Sequence, residues 1–148
     1  MNRYGLEFHH FGLAVKSPEP VFRYLGDLGY RAGGSCYDPL QKVNLAMRHH
    51  ERMPDVEVIW PGAEPSPIDS ILKHNDTLIY HLCYTSEDVG RSLALLEQAG
   101  MEVLALGFPK PALLFDGIEV SFYRITGVGV IEIIAGLPAR AEAAQGVL

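Results

Sequence analysis

Residues 7–15 read EFHHFGLAV, and residues 78–84 read LIYHLCY. Both runs are short, apolar and rich in strand-forming side chains, so each predicts a β-strand. Each is followed by helix-start chemistry. After the first, Ser17-Pro18-Glu19-Pro20 predicts a helix with Ser17 as N-cap, Pro18 in the first turn and Glu19 at the positive dipole end. That helix is expected to run to about Leu28, to bury Val21, Leu25 and Leu28, and to end at Gly29. After the second, Thr85 and Asp88 stand at capping-box spacing. The following helix carries Val89, Leu93, Leu96 and Ala99 on one face and stops at Gly100.

The two halves repeat each other. A shift of 71 residues carries His10 onto His81, Phe22 onto Leu93, Leu25 onto Leu96 and Gly29 onto Gly100. Self-similarity of this kind is an architectural signal. Further strands are expected near Tyr30, at 42–48 and at 55–60 in the first half. In the second half they are expected near 101–106, 112–115, 118–125 and 128–134. Pro61 to Pro67 holds three prolines and predicts a linker. The organisation read from these patterns is a first βαβββ module over 6–61, a linker over 62–77, a second module over 78–136 and an Ala-rich tail over 137–148. The tail reads as a frayed helix or a disordered segment.

Two glutamates then draw the eye. Glu57 lies inside Val56-Glu57-Val58-Ile59-Trp60, and Glu132 lies inside Val130-Ile131-Glu132-Ile133-Ile134. A carboxylate within an apolar strand faces either water or a partner, because buried and unpaired it costs several kcal/mol or takes up a proton. A bound cation removes that cost. The 71-residue shift carries Glu57 to a point four residues short of Glu132, an offset that a loop of different length would absorb. If a pseudo-twofold axis relates the halves, His10 faces His81 and Glu57 faces Glu132. Two imidazoles and two carboxylates suit Zn, Co, Ni, Mn or Fe(II). A single strand histidine or glutamate is more often plain structure or a wet sheet face; four at repeat-related positions are harder to explain that way.

Other features carry less. His49-His50 sits in the polar run Arg48 to Arg52 and reads as an exposed turn. No phosphate-binding glycine loop and no Gly-x-Ser-x-Gly elbow is present. Cys36 and Cys83 have no CxxC spacing and read as reduced thiols of a cytoplasmic protein, one disulfide being the alternative. The net charge of −6 and pI near 5.4 exclude the basic face of a general nucleic-acid or membrane-surface binder. No run approaches the ~20 apolar residues of a membrane span, and Met1 to Gly5 is not followed by an apolar signal core.

The motifs together resemble the vicinal oxygen chelate superfamily, which includes glyoxalase I, methylmalonyl-CoA epimerase, extradiol dioxygenases and bleomycin- or fosfomycin-resistance proteins. The likeness covers roughly residues 6–135. HHFGLAV is similar to the family's first metal strand with the ligand at His10, YHLCYTSEDV to the third with His81, and GVIEII to the last with Glu132. VEVIWP followed by SPIDSIL is similar to the epimerase branch. The resemblance implies an α+β, glyoxalase-like fold: two βαβββ modules forming a cupped, mostly antiparallel sheet with helices outside. It implies a divalent metal held by His10, Glu57, His81 and Glu132, with Glu132 also the catalytic base. It further implies proton abstraction beside the carbonyl of an acyl thioester such as methylmalonyl-CoA, through a metal-stabilised enolate, in a homodimer.

This chain departs from that pattern in one place. Epimerases of the family resemble one another in a Glu-Gln-Gly-Val stretch that supplies a second acid/base, whereas Leu40-Gln41-Lys42-Val43 stands here. Leucine transfers no proton, and Asp38 is the nearest substitute. The ligand set fits glyoxalase I equally, although Lys16-Ser17 replaces the arginine expected to contact glutathione. A non-catalytic drug- or metabolite-binding protein of the same fold is the third reading. Phe108, Phe115 and Phe122 read as core or as pocket lining.

Overall fold

The computed structural model describes residues 2–136; the tail expected over 137–148 lies outside the described residues. In chain order the elements are β1 (Glu7–Val15), α1 (Glu19–Asp27), β2 (Arg31–Asp38), β3 (Val43–His49), β4 (Asp55–Pro61), α2 (Ile68–Leu72), β5 (Thr77–Ser86), α3 (Val89–Gln98), β6 (Val103–Ala105), β7 (Lys110–Pro111), β8 (Glu119–Ile125) and β9 (Gly129–Ala135). The chain is α+β with a glyoxalase-like order of elements. The described residues form two compact units, one of residues 10–80 and the other of residues 2–9 with 81–136. The boundaries fall inside β1 and β5, so His10 and His81 are each the first residue past a crossing.

In the unit of residues 10–80 the strand order is β2-β3-β4-β1. β2, β3 and β4 pair antiparallel, and β1 runs parallel to β4. The reason lies in connection length: β2 to β4 are joined by short turns, whereas β1 reaches its partner through helix and hairpin. Alternation along β1 sends Leu13 and Val15 to one face, where they pack with Val21, Phe22 and Leu25 of α1 and with Val56, Val58 and Trp60 of β4. Gly29, at φ +98°, ends α1 as expected. Two details of that helix differ from expectation. Leu28 is exposed, because it falls beyond the last helical turn. Ser17 makes no cap; its hydroxyl donates to Glu19 Oε2 at 3.0 Å, and Pro18 occupies the N-cap position. The expected linker also contains α2, a short helix that buries Ile68 and Leu72.

In the other unit the order is β5-β9-β8-β6, with the two-residue β7 on β8. β5 and β9 are parallel and the remaining pairs antiparallel. Leu96 of α3 packs with Leu6, Tyr123, Ile125, Ile131 and Ile133. β5 continues through Ser86, so Thr85 does not cap α3. Asp88 does, accepting from Arg91 N at 3.0 Å.

The segment expected as a strand over 112–115 is instead a 3-10 turn at Leu113–Phe115. Its apolar residues satisfied a strand pattern, but Asp116 and Gly117 adopt φ +54° and +78°. These left-handed residues fold the chain back, so that Phe115 N and Gly117 N both donate to Ala112 O. This region accounts for the four-residue offset between the halves. A shift of 75 carries Met47 onto Phe122 as well as Glu57 onto Glu132, and each glutamate pairs with the other residue named in its half. The extra residues therefore precede β8.

Candidate metal centre

The ladder register positions the four residues read from sequence. In one unit Gly12, two residues past His10, pairs with Glu57; in the other Cys83, two residues past His81, pairs with Glu132. Adjacent residues in a ladder point to the same face, so each histidine and its glutamate share a face. His10 is 0% exposed, Glu57 4%, His81 2% and Glu132 3%. His10 Nε2 lies 3.8 Å from Glu57 Oε1, and His81 Nε2 lies 3.8 Å from Glu132 Oε2.

A separation of 3.8 Å is too long for a hydrogen bond. It is compatible with two donors on one ion: at about 2.1 Å each, they can lie up to about 4.2 Å apart. Protonation states agree. Burial pushes His81 down to about 3, so the imidazole is neutral, the form in which a histidine can bind a metal. Burial pushes Glu132 up to about 7, against the pull of the Cys83 hydrogen bond. A carboxylate that is costly to ionise is one that a cation stabilises. The Phe122 ring packs edge-to-face with His81, their centres 5.4 Å apart. In both units the donor set fits a divalent metal.

The remaining expectations fare differently. Asp38 is buried, and both its oxygens are engaged in the β2–β3 turn. Oδ1 accepts from Leu40 N at 2.8 Å and Gln41 N at 3.2 Å, and Oδ2 accepts from Gln41 Nε2 at 3.0 Å. It is a turn residue and does not replace the missing glutamate. His50 is structural: its Nδ1 accepts from Arg52 N and Met53 N, and its Nε2 donates to Leu28 O at 3.1 Å. His49 closes β3 with Nδ1 3.0 Å from Asp55 Oδ2. Phe108 is 89% exposed, while Phe115 and Phe122 pack against a buried cluster. The residue that sequence reading undervalued is Cys83, whose Sγ donates to Glu132 Oε1 at 3.1 Å. Its position on the face of His81, two residues on, was the available signal.

The model of the Glyoxalase/Bleomycin resistance protein/Dioxygenase superfamily matches residues 9–122. The chain belongs to that superfamily. Solved structures similar to this superfamily member agree on the fold. Methylmalonyl-CoA epimerase from Mycobacterium tuberculosis matches with TM-score 0.71 at 20% identity, over 95% of this chain and 91% of that one. A hypothetical protein from Bacillus halodurans matches with TM-score 0.73 at 22% identity, over 90% and 96%. A variant of the Streptomyces coelicolor methylmalonyl-CoA epimerase, in complex with 2-nitronate-propionyl-CoA, matches with TM-score 0.69 at 18% identity, over 89% and 98%. No curated protein sequence matches the chain.

Proposed function

We propose that this superfamily member is a divalent-metal-dependent epimerase or isomerase that removes the proton next to an acyl-thioester carbonyl, with His10, Glu57, His81 and Glu132 as ligands of one ion. The observation that carries this reading is the pair of equivalent, buried His–Glu couples, one in each unit, at matching register positions. A bound divalent ion would supply Lewis acidity, polarising the carbonyl and acidifying the neighbouring C–H. Zn, Co, Ni, Mn and Fe all accept this donor set.

Glu132 is the base in this reading. Without an ion, burial raises its carboxyl to about 7; a bound cation would favour the ionised form, which is the form that accepts a proton. Neutral His81 accepts no proton there and serves as a ligand only. The apolar strands around both glutamates exclude water from the carboxylates and strengthen each electrostatic contact. A CoA thioester is the favoured substrate class because the similar epimerases include one bound to methylmalonyl-CoA. A homodimer in the cytoplasm completes the proposal; Cys36 and Cys83 are not joined in a disulfide.

The test is deuterium uptake from heavy water into methylmalonyl-CoA, with Co(II) or Ni(II) supplied, beside turnover of methylglyoxal plus glutathione. Uptake into the thioester supports the epimerase reading. Turnover of the hemithioacetal alone would replace it with a glyoxalase I-like lyase. Silence on both by metal-loaded protein would leave a binding protein of the same fold.

A further inference from the structure

We infer that Cys83 is a positioning residue for Glu132: its thiol holds Oε1 and leaves Oε2 as the oxygen offered to the ion. This rests on the metal reading above and assigns the division of labour within one carboxylate. Cys83 and Glu132 are ladder partners on parallel strands, so their side chains stand next to each other on one face. Sγ lies 3.1 Å from Oε1, while Oε2 is the atom nearest His81 Nε2. A thiol has one proton to donate. Tyr84 O is also an acceptor, at 3.8 Å, and a carboxylate oxygen is stronger than a carbonyl.

The sulfur cannot exchange this bond for water. It is 0% exposed, in a cluster with Ala112, Val120 and Ile134, capped by Phe115 and Ile118. That cap comes from the segment before β8, where this unit is four residues longer than the other. There Gly12 stands in the register position of Cys83 and carries no donor. With Oε1 held, rotation of the Glu132 carboxylate is restrained, and Oε2 would be the oxygen that holds an ion. Partners of this kind fix ligand orientation, and their loss typically costs 10–100-fold in metal affinity.

The experiment titrates Co(II) into the purified full chain, as wild type, Cys83→Ala and Cys83→Ser, and records the infrared S–H stretch of the wild type. Both substitutions shrink the side chain, but only serine keeps a donor. Expected are a 10–100-fold weaker Co(II) affinity in Cys83→Ala and recovery to within a few-fold in Cys83→Ser. The S–H band lost in Cys83→Ala should be displaced from that of a free thiol and should persist once Co(II) is bound. Equal affinity in Cys83→Ala would overturn the proposal. So would a Cys83→Ser affinity as weak as alanine's, which would point to packing. A thiolate-to-cobalt charge-transfer band would make Cys83 a ligand instead. A wild type that binds no Co(II) would overturn the metal reading and this role with it, whereas normal wild-type binding with an indifferent Cys83→Ala removes this role alone.

Discussion

The His10–Glu57 couple and the His81–Glu132 couple have the same spacing, 3.8 Å, and the same register, yet different surroundings. Glu57 is flanked in its ladder by Gly12 and Met47; Glu132 is flanked by Cys83 and Phe122. A duplicated framework thus presents two near-equivalent carboxylates, and local side chains make them inequivalent. Environment, more than residue type, sets which carboxylate works as a base. On this view Glu57 is a ligand alone, while Glu132 is ligand and base.

The largest expected effect tests that inequality. Glu132→Gln removes the base and should lower deuterium exchange by about 10²–10⁴-fold. Glu57→Gln should weaken metal binding while leaving most of the turnover at saturating metal. Equal loss of turnover in both variants, at saturating metal, would erase the distinction.

Next comes the packing that the halves share. Leu25 of α1 and Leu96 of α3 are 6% and 4% exposed and are related by the 71-residue shift. Leu25→Ala and Leu96→Ala should each cost about 2–5 kcal/mol in denaturant unfolding. A negligible loss at either position would break the structural equivalence of the helices.

The pH dependence of metal-free stability sharpens the comparison further. Between about 3 and 6.5 the unfolded chain protonates His81 and the folded chain does not, so this group makes stability rise with pH. Between about 4.5 and 7 the folded chain keeps a proton on Glu132 that the unfolded chain has lost, so this group makes stability fall with rising pH. The two slopes oppose each other from 4.5 to 6.5. Their sum gives a loss of stability on acidification below 4.5. In Glu132→Gln the falling slope is absent, and stability should rise through 6.5 in chemical-denaturation curves.

The smallest effect concerns helix starts. Asp88 caps α3 through Arg91 N, so Asp88→Ala should cost about 0.5–2 kcal/mol. Ser17 only reaches exposed Glu19, so Ser17→Ala should change stability by less than that.

Much of this was legible in the residues. Short apolar, strand-forming runs located β1, β4, β5, β8 and β9, and Gly29 and Gly100 stop the helices where the backbone needs positive φ. Glu57 and Glu132 are legible because a carboxylate inside an apolar strand demands a partner, and His10 and His81 because the 71-residue shift relates them. What stayed hidden depended on contacts distant in sequence. The 3-10 turn at Leu113–Phe115 looked like a strand because its reversal is set by Asp116 and Gly117, not by its apolar pattern. Asp38 is near the missing glutamate in sequence, but the turn engages both its oxygens. Cys83 gained meaning only once the register set it beside Glu132.

The central claim is that the two couples serve one ion, and counting imidazoles per bound metal tests it most directly. Pulsed electron paramagnetic resonance of Cu(II)-loaded protein at one equivalent should report two coordinated imidazoles. His10→Ala and His81→Ala should each remove one. A Cu(II) centre left unchanged by either substitution, or a chain that binds two ions with one imidazole each, would contradict the account.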